Sequence, residues 1–320
     1  MRLNLIIWFV FGLLILSCNN KKNIKSPDTS LSHQQSIKIS AAYALSPLVK
    51  TWTEEFSEVH PDIQFNLQTI GSGYGIPEVL AEKVDFAMIS SLPPSDLDSA
   101  LWFVPVAKLF VVPVVNSQNP YLAKLKKTGL KRDDLVTLFS GKSTVNWGDL
   151  LGNGNKDKIE AFIRSDEAGS TEVLARYLWL EPGEIKGTGV NGEIEMLSAI
   201  KDDIHSIGYI NFVYTYNFEK KTFNEDITII PLDLNQNGEL DNNEDFYFDY
   251  ATLQRAMWLG KYPCLLNREL FIISKGKPST METVEFLKWI LTEGQKCVSD
   301  EGYIELHSHV IRCGLNCLKN

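Results

Sequence analysis

Apolar and polar positions alternate over residues 36–40 and again over 63–70. Each alternating run leads into a turn of small residues and then into apolar positions at helical spacing. Period two reads as a half-buried strand and period 3.6 as an amphipathic helix. After the first run, Leu48, Val49, Trp52 and Phe56 share one helical face, and Pro47 stands at the first turn, where its missing N–H costs nothing. After the second, Gly71-Ser72-Gly73-Tyr74-Gly75 leads into a short helix over 76–82. A buried strand over 84–89 ends in Ser90-Ser91. Residues 103–115 are almost wholly apolar, long enough for a strand crossing between two lobes, and interrupted by Pro105 and Pro113. Helix signals follow over 131–139, closed by Ser140-Gly141, then over 172–180, 192–200 and 250–259. Strand signals fall at 160–163, 207–213 and 228–232, and 145–150 reads as a turn. Gly208 suits a close backbone contact. The repeating βα order predicts an α/β fold with largely parallel, helix-covered sheets.

One stretch carries candidate chemistry. Arg164-Ser165-Asp166-Glu167-Ala168-Gly169-Ser170-Thr171 joins a strand end to a helix start. A helix start has unpaired N–H groups and a partial positive charge, so it suits an anion. Gly169 permits close backbone approach. Ser170 and Thr171 can cap the helix or donate hydroxyls. Arg164 offers a planar fork suited to an oxyanion, with Asp166 close enough to orient it. The glycine-rich turn at 71–75 aims further N–H groups at one point. No Gly-Lys-Ser/Thr follows it, and it lacks Gly-x-Gly-x-x-Gly spacing, so it is neither a nucleotide P-loop nor a dinucleotide turn. Ser90 ends a strand, where ligands of open α/β sheets collect.

The 320 residues are 44% apolar and carry a formal charge of −9. That balance disfavours nucleic acid as a partner and leaves room for a small anion. Residues 1–17 read as a secretory signal, because the apolar run from Leu5 to Leu16 is too short for a comfortable membrane span. Ile15-Leu16-Ser17-Cys18 resembles a bacterial lipobox. That implies cleavage before Cys18, lipid on Cys18, and a protein anchored to a membrane of the cell envelope. Residues 18–36 read as a flexible tether. Cys264, Cys297, Cys313 and Cys317 allow three full disulfide pairings. With His307 and His309 they match no strong zinc spacing.

Residues 233–244 match the twelve-residue EF-hand loop at every defined place. Asp233, Asn235 and Asn237 supply oxygens at alternate positions. Gly238 makes the sharp turn, Glu239 supplies its carbonyl, Asp241 acts directly or through water, and Glu244 binds through both carboxylate oxygens. An oxygen-only set suits calcium. The flanks read as a strand before and a helix after, which favours a structural clamp over a sensor.

In order along the chain, residues 43–52, 71–75, 84–91, 116–120, 138–142 with Asn146-Trp147, 164–171, 207–209 and 270–276 resemble the phosphate-binding substrate-binding proteins of bacterial phosphate ABC transporters. The likeness covers about residues 37–309. It implies a type II periplasmic-binding-protein-like fold: two α/β lobes, each a mostly parallel sheet flanked by helices, joined by two crossovers with the anion between them. The lobes would be 37–112 plus 268–320, and 113–267. Ala44 stands where a hydroxyl residue is usual, and Leu45 keeps its backbone N–H. Ser72 matches a hydroxyl donor beside Gly73. Ser90 stands where many members carry an Asp that accepts the phosphate proton. Arg164 and Asp166 match the charged pair, Ala168 replaces a Ser, Gly169 matches, and Ser170 replaces a Thr. The implied partners are phosphate or a similar oxyanion and ABC permease subunits. The implied protein is a monomer with no catalytic cofactor and no enzymatic activity. No histidine lies in a motif stretch, and no Cys–His or Ser–His constellation is present. The losses at Ala44 and Ala168 leave a second reading open: the same fold with a decayed anion site, serving as a sensor or adhesion protein.

Overall fold

The computed structural model describes residues 35–319 except 71, 91–99, 142–144 and 167. Cys18, the expected signal and most of the tether lie outside that range, as does the side chain of Ser72. The first part of the chain runs β1 (Gln35–Ala42), α1 (Ser46–Val59), β2 (Ile63–Ile70), α2 (Gly75–Leu80), β3 (Phe86–Ile89) and β4 (Leu101–Asn116). Next come α3 (Leu122–Thr128), α4 (Arg132–Phe139), α5 (Trp147–Leu151), β5 (Glu160–Arg164), α6 (Gly169–Leu178), β6 (Thr188–Val190), α7 (Gly192–Asp202) and β7 (Ser206–Asn211). The last part holds β8 (Tyr216–Asn217), β9 (Thr222–Phe223), β10 (Ile227–Ile229), α8 (Tyr250–Trp258), β11 (Asn267–Lys275), α9 (Met281–Ile290), α10 (Lys296–Asp300) and α11 (Ser308–Lys319).

One curled sheet runs β2-β1-β3-β11-β4-β7-β5-β6, with β10 also on β4. Its outer pairs are parallel, β1 with β2 and β3, and β5 with β6 and β7. The middle pairs are antiparallel. The sheet is therefore less uniformly parallel than the βα order suggests. The reason is topological: β4 carries the chain out of the first lobe and β11 brings it back, so the two run in opposite directions. β4 pairs with β11 from Leu101 to Phe110 and with β7 from Val111 to Val115. Pro105, which has no N–H for a ladder, sits where the β11 register shifts.

Each end of the sheet has its own core. In the first, α1 buries Leu48, Val49, Trp52 and Phe56 completely, and the Trp52 indole N–H donates to the Gly294 carbonyl at 2.7 Å. Phe56 meets Phe286 and Trp289 edge-on at 5.0 and 5.7 Å, a favoured aromatic geometry. In the second, Phe139 packs edge-on against Tyr209 at 5.7 Å. α7 lies so close to β7 that a Cβ on Gly208 would come within 2.9 Å of Ile200 and Met196. The stretch at 145–150 forms a one-turn helix rather than a simple turn, because the Asn146 side chain accepts from the Asp149 N–H at 2.8 Å. The strand expected to reach residue 213 ends at Asn211 and gives way to a 3-10 turn, Phe212–Thr215.

Candidate functional site

Between the two cores lies a cleft of about 850 Å³. Ala44 and Gly73 face it from the first lobe. Arg164, Asp166, Ala168, Gly169 and Ser170 face it from the second. Leu45, next to Ala44, is fully buried. Ser90, at the end of β3 and 4% exposed, lies close by: its Oγ is 3.6 Å from where a Cβ on Gly169 would be. The strand–turn–helix starts on the two sides thus converge on one space, although they are far apart in sequence.

The α6 start is open to a ligand. Its N-cap is Ala168, which gives no side-chain cap; the Thr171 N–H already donates to the Ala168 carbonyl at 2.9 Å, so the N–H groups of Gly169 and Ser170 are the ones left for a ligand. Thr171 does not cap it either; its hydroxyl pairs with the Tyr209 hydroxyl at 2.7 Å. Tyr209 in turn accepts from the Arg164 backbone N–H at 3.1 Å. This contact fixes the end of β5 and therefore the aim of Arg164.

Arg164 is held on two sides. Its Nε and Nη2 donate to both oxygens of Asp166 at 2.7 and 2.5 Å, and Nη1 donates to Glu193 at 2.7 Å. Burial pushes the Asp166 carboxyl up, but the Arg164 hydrogen bond and the Gly192 N–H outweigh it and hold the group below its ordinary value. Glu193 also accepts from the Asn211 N–H and side-chain amide. Burial dominates there and raises its pKa despite the nearby Arg164.

Sequence reasoning missed three groups here: Glu193, Asn211 and Arg268. Arg268 comes from β11, one residue into the returning strand, and burial lowers its pKa to about 10. The sequence did not single it out, since Arg268 is one of three polar residues, 267–269, ahead of the apolar run 270–273. Glu193 gave no signal either, because an acidic residue in a first helical turn is ordinary.

The twelve-residue loop folds back on its first and last members. Asp233 accepts from the N–H groups of Asn237 and Gly238 at 3.2 and 2.7 Å. Glu244 accepts from Leu234, Asn235 and Asp241 at 2.9, 3.1 and 3.2 Å. Gly238 has φ +88°, the left-handed turn expected of it. Asp233 and Glu244 are almost fully buried. Among the described residues no three His, Cys, Asp or Glu side chains converge as a metal cluster. A cation here would therefore need the amide oxygens of Asn235 and Asn237 and the Glu239 carbonyl as well, a mixed donor set that suits calcium. The four cysteines of the described chain are free thiols. Burial and the nearby Glu55 push Cys297 up to about 12.

Two helix-covered cores, joined by antiparallel crossover strands around an anion-competent cleft, define the two-lobed periplasmic-binding-protein fold. The PBP superfamily domain matches residues 26–293, and the chain belongs to that family. It is similar to the phosphate-binding protein PstS of Xylella fastidiosa, 27% identical over 326 residues, covering 88% of this chain and 85% of that protein. It is also similar to the phosphate-binding protein PstS of Bacillus subtilis, 26% identical over 306 residues, covering 92% and 90%. A crystal structure of a phosphate ABC transporter substrate-binding protein with bound phosphate from Clostridium perfringens superposes with a TM-score of 0.66 at 20% identity. That match covers 85% of this chain and all of the other.

Proposed function

We propose that this protein captures phosphate, or a related oxyanion, non-covalently in its cleft and delivers it to the permease of an ABC transporter. The observation that carries the reading is the meeting, in one cleft, of Arg164, the uncapped first turn of α6 and the Gly73 turn of the opposite lobe. Ser72, Ser90 and Ser170 would supply hydroxyls, and Leu45, Gly73 and Gly169 backbone N–H groups. The names of the similar proteins support phosphate as the ligand. The lobes would be 37–112 plus 268–320, and 113–267, closing over the anion. Binding rather than catalysis is favoured because no histidine lines the cleft among the described residues. We place the protein outside the cytoplasm as a lipid-anchored monomer, with calcium clamping residues 233–244.

The alanines at 44 and 168 favour a second reading. Both face the cleft without a hydroxyl, and each hydrogen bond lost to a charged ligand costs about 1.5–3 kcal/mol. A site weakened this way would suit a sensor. Calorimetric titration with phosphate and then sulfate, at fixed calcium, decides. Saturable phosphate binding is expected. Sulfate should compete more than at a site with a free carboxylate acceptor, because Ser90 can donate as well as accept. A folded protein that binds neither anion would favour the sensor.

A further inference from the structure

Arg268 is not satisfied by the described residues around it. It is 8% exposed, yet among the described residues its Nε and Nη1 have no hydrogen-bond partner. Its one hydrogen bond among the described residues is a long donation from Nη2 to the Asn211 Oδ1 at 3.4 Å. A buried guanidinium with idle donors is costly, so its position should reveal what it awaits. A Cβ on Gly169 would fall 1.6 Å from Arg268 Nη1. The guanidinium therefore lies directly against the first residue of α6, next to Ser90. This is the positive end of a helix, where a cation is unfavourable and an anion favourable. An anion seated among the α6 N–H groups, Ser90 and Arg268 would turn that repulsion into attraction.

Among the described residues no side chain fills the role. Glu193 carries charge that favours the guanidinium, but Arg164 and Asn211 already take up its oxygens. Arg164 is in turn neutralised by Asp166 and Glu193. The two arginines and two carboxylates cancel, and the guanidinium with donors to spare is Arg268.

We infer that Arg268 is a direct ligand of the bound oxyanion, a second cationic arm that takes over from the hydroxyls absent at Ala44 and Ala168. This rests on the oxyanion-receptor reading and adds to it a ligand residue from the crossover strand. It also explains why residue 169 is glycine: any side chain there would occupy the space of the guanidinium.

The test compares phosphate titration of the full chain with that of Arg268→Gln and Arg268→Lys. Arg268→Gln is expected to weaken phosphate binding tenfold or more, the scale of one charge-assisted hydrogen bond. Its phosphate-free melting temperature should not fall, because the substitution removes a buried, unpartnered cation. Arg268→Lys should bind with intermediate affinity. In the unaltered protein, the Arg268 Nε–H resonance should shift on adding phosphate. This reading does not need a variant to fold, and a purely structural arginine would leave the resonance in place. Unchanged affinity in a folded Arg268→Gln, or a resonance indifferent to saturating phosphate, overturns the assignment while leaving the receptor reading intact. If the unaltered protein binds no oxyanion, both fall together.

Discussion

Arg164 does two jobs, and its replacement should show both. Its side chain is 9% exposed and sits between Asp166 and Glu193. Arg164→Ala removes a donor from the cleft and strands two partly or wholly buried carboxylates. Breaking a buried pair on one side costs about 3–5 kcal/mol. The discount is real for Asp166, a third exposed, so the lower end is expected. Phosphate affinity should drop at least about tenfold and the melting temperature should fall by several degrees. A variant with full affinity would remove Arg164 from the site. Arg164 and Asp166 were legible in the sequence because they are two positions apart and precede a helix start. Arg268 and Glu193 were not, because their meaning is set by neighbours from other strands and helices. Local spacing cannot show that a guanidinium on β11 ends against the first residue of α6.

Elements were legible where one force dominated. Trp52 and Phe56 announce α1 because its buried face repeats every turn. β4 was visible as an apolar run despite two prolines, because one sits at a register shift and the sheet tolerates it there. The direction of pairing was hidden, since period two is the same in parallel and antiparallel strands. The loop at 233–244 makes the opposite case: its pattern is entirely local, so the sequence alone suggests its chemistry. Asp233 and Glu244 are buried with only N–H partners, and no Lys or Arg forms a salt bridge to either among the described residues. Calcium bound there would stabilise the fold by mass action, about 2.7 kcal/mol at a hundredfold excess over Kd. A calcium-dependent rise in melting temperature, reversed by chelator and absent in Asp233→Ala, is expected. A melting curve indifferent to both would show that the loop is held by its hydrogen bonds alone.

The strand β4 runs through both cores, and the cleft, lined by Arg268 near the start of β11, lies beside the point where β4 passes from one core to the other. An anion held by Gly73 and Ser90 from one lobe and by Gly169 and Arg164 from the other would link two bodies that otherwise communicate through the crossover strands. Such a ligand raises the free energy of opening both walls, whereas an anion resting on α6 alone raises only one. Hydrogen exchange separates the cases, because it reads local opening segment by segment. Phosphate at about a hundred times its Kd contributes about 2.7 kcal/mol, equivalent to roughly a hundredfold slower exchange wherever opening requires release of the anion. Protection is therefore expected to rise both in the first-lobe segments 41–45 and 72–75 and in the second-lobe segment 168–173. The helices α9 and α11, none of whose residues line the cleft, should change little. Protection confined to 168–173 would mean that the first lobe contributes nothing to capture. The alanine at position 44 would then mark a wall that has lost its part in binding, rather than one whose missing hydroxyl is made good by Arg268.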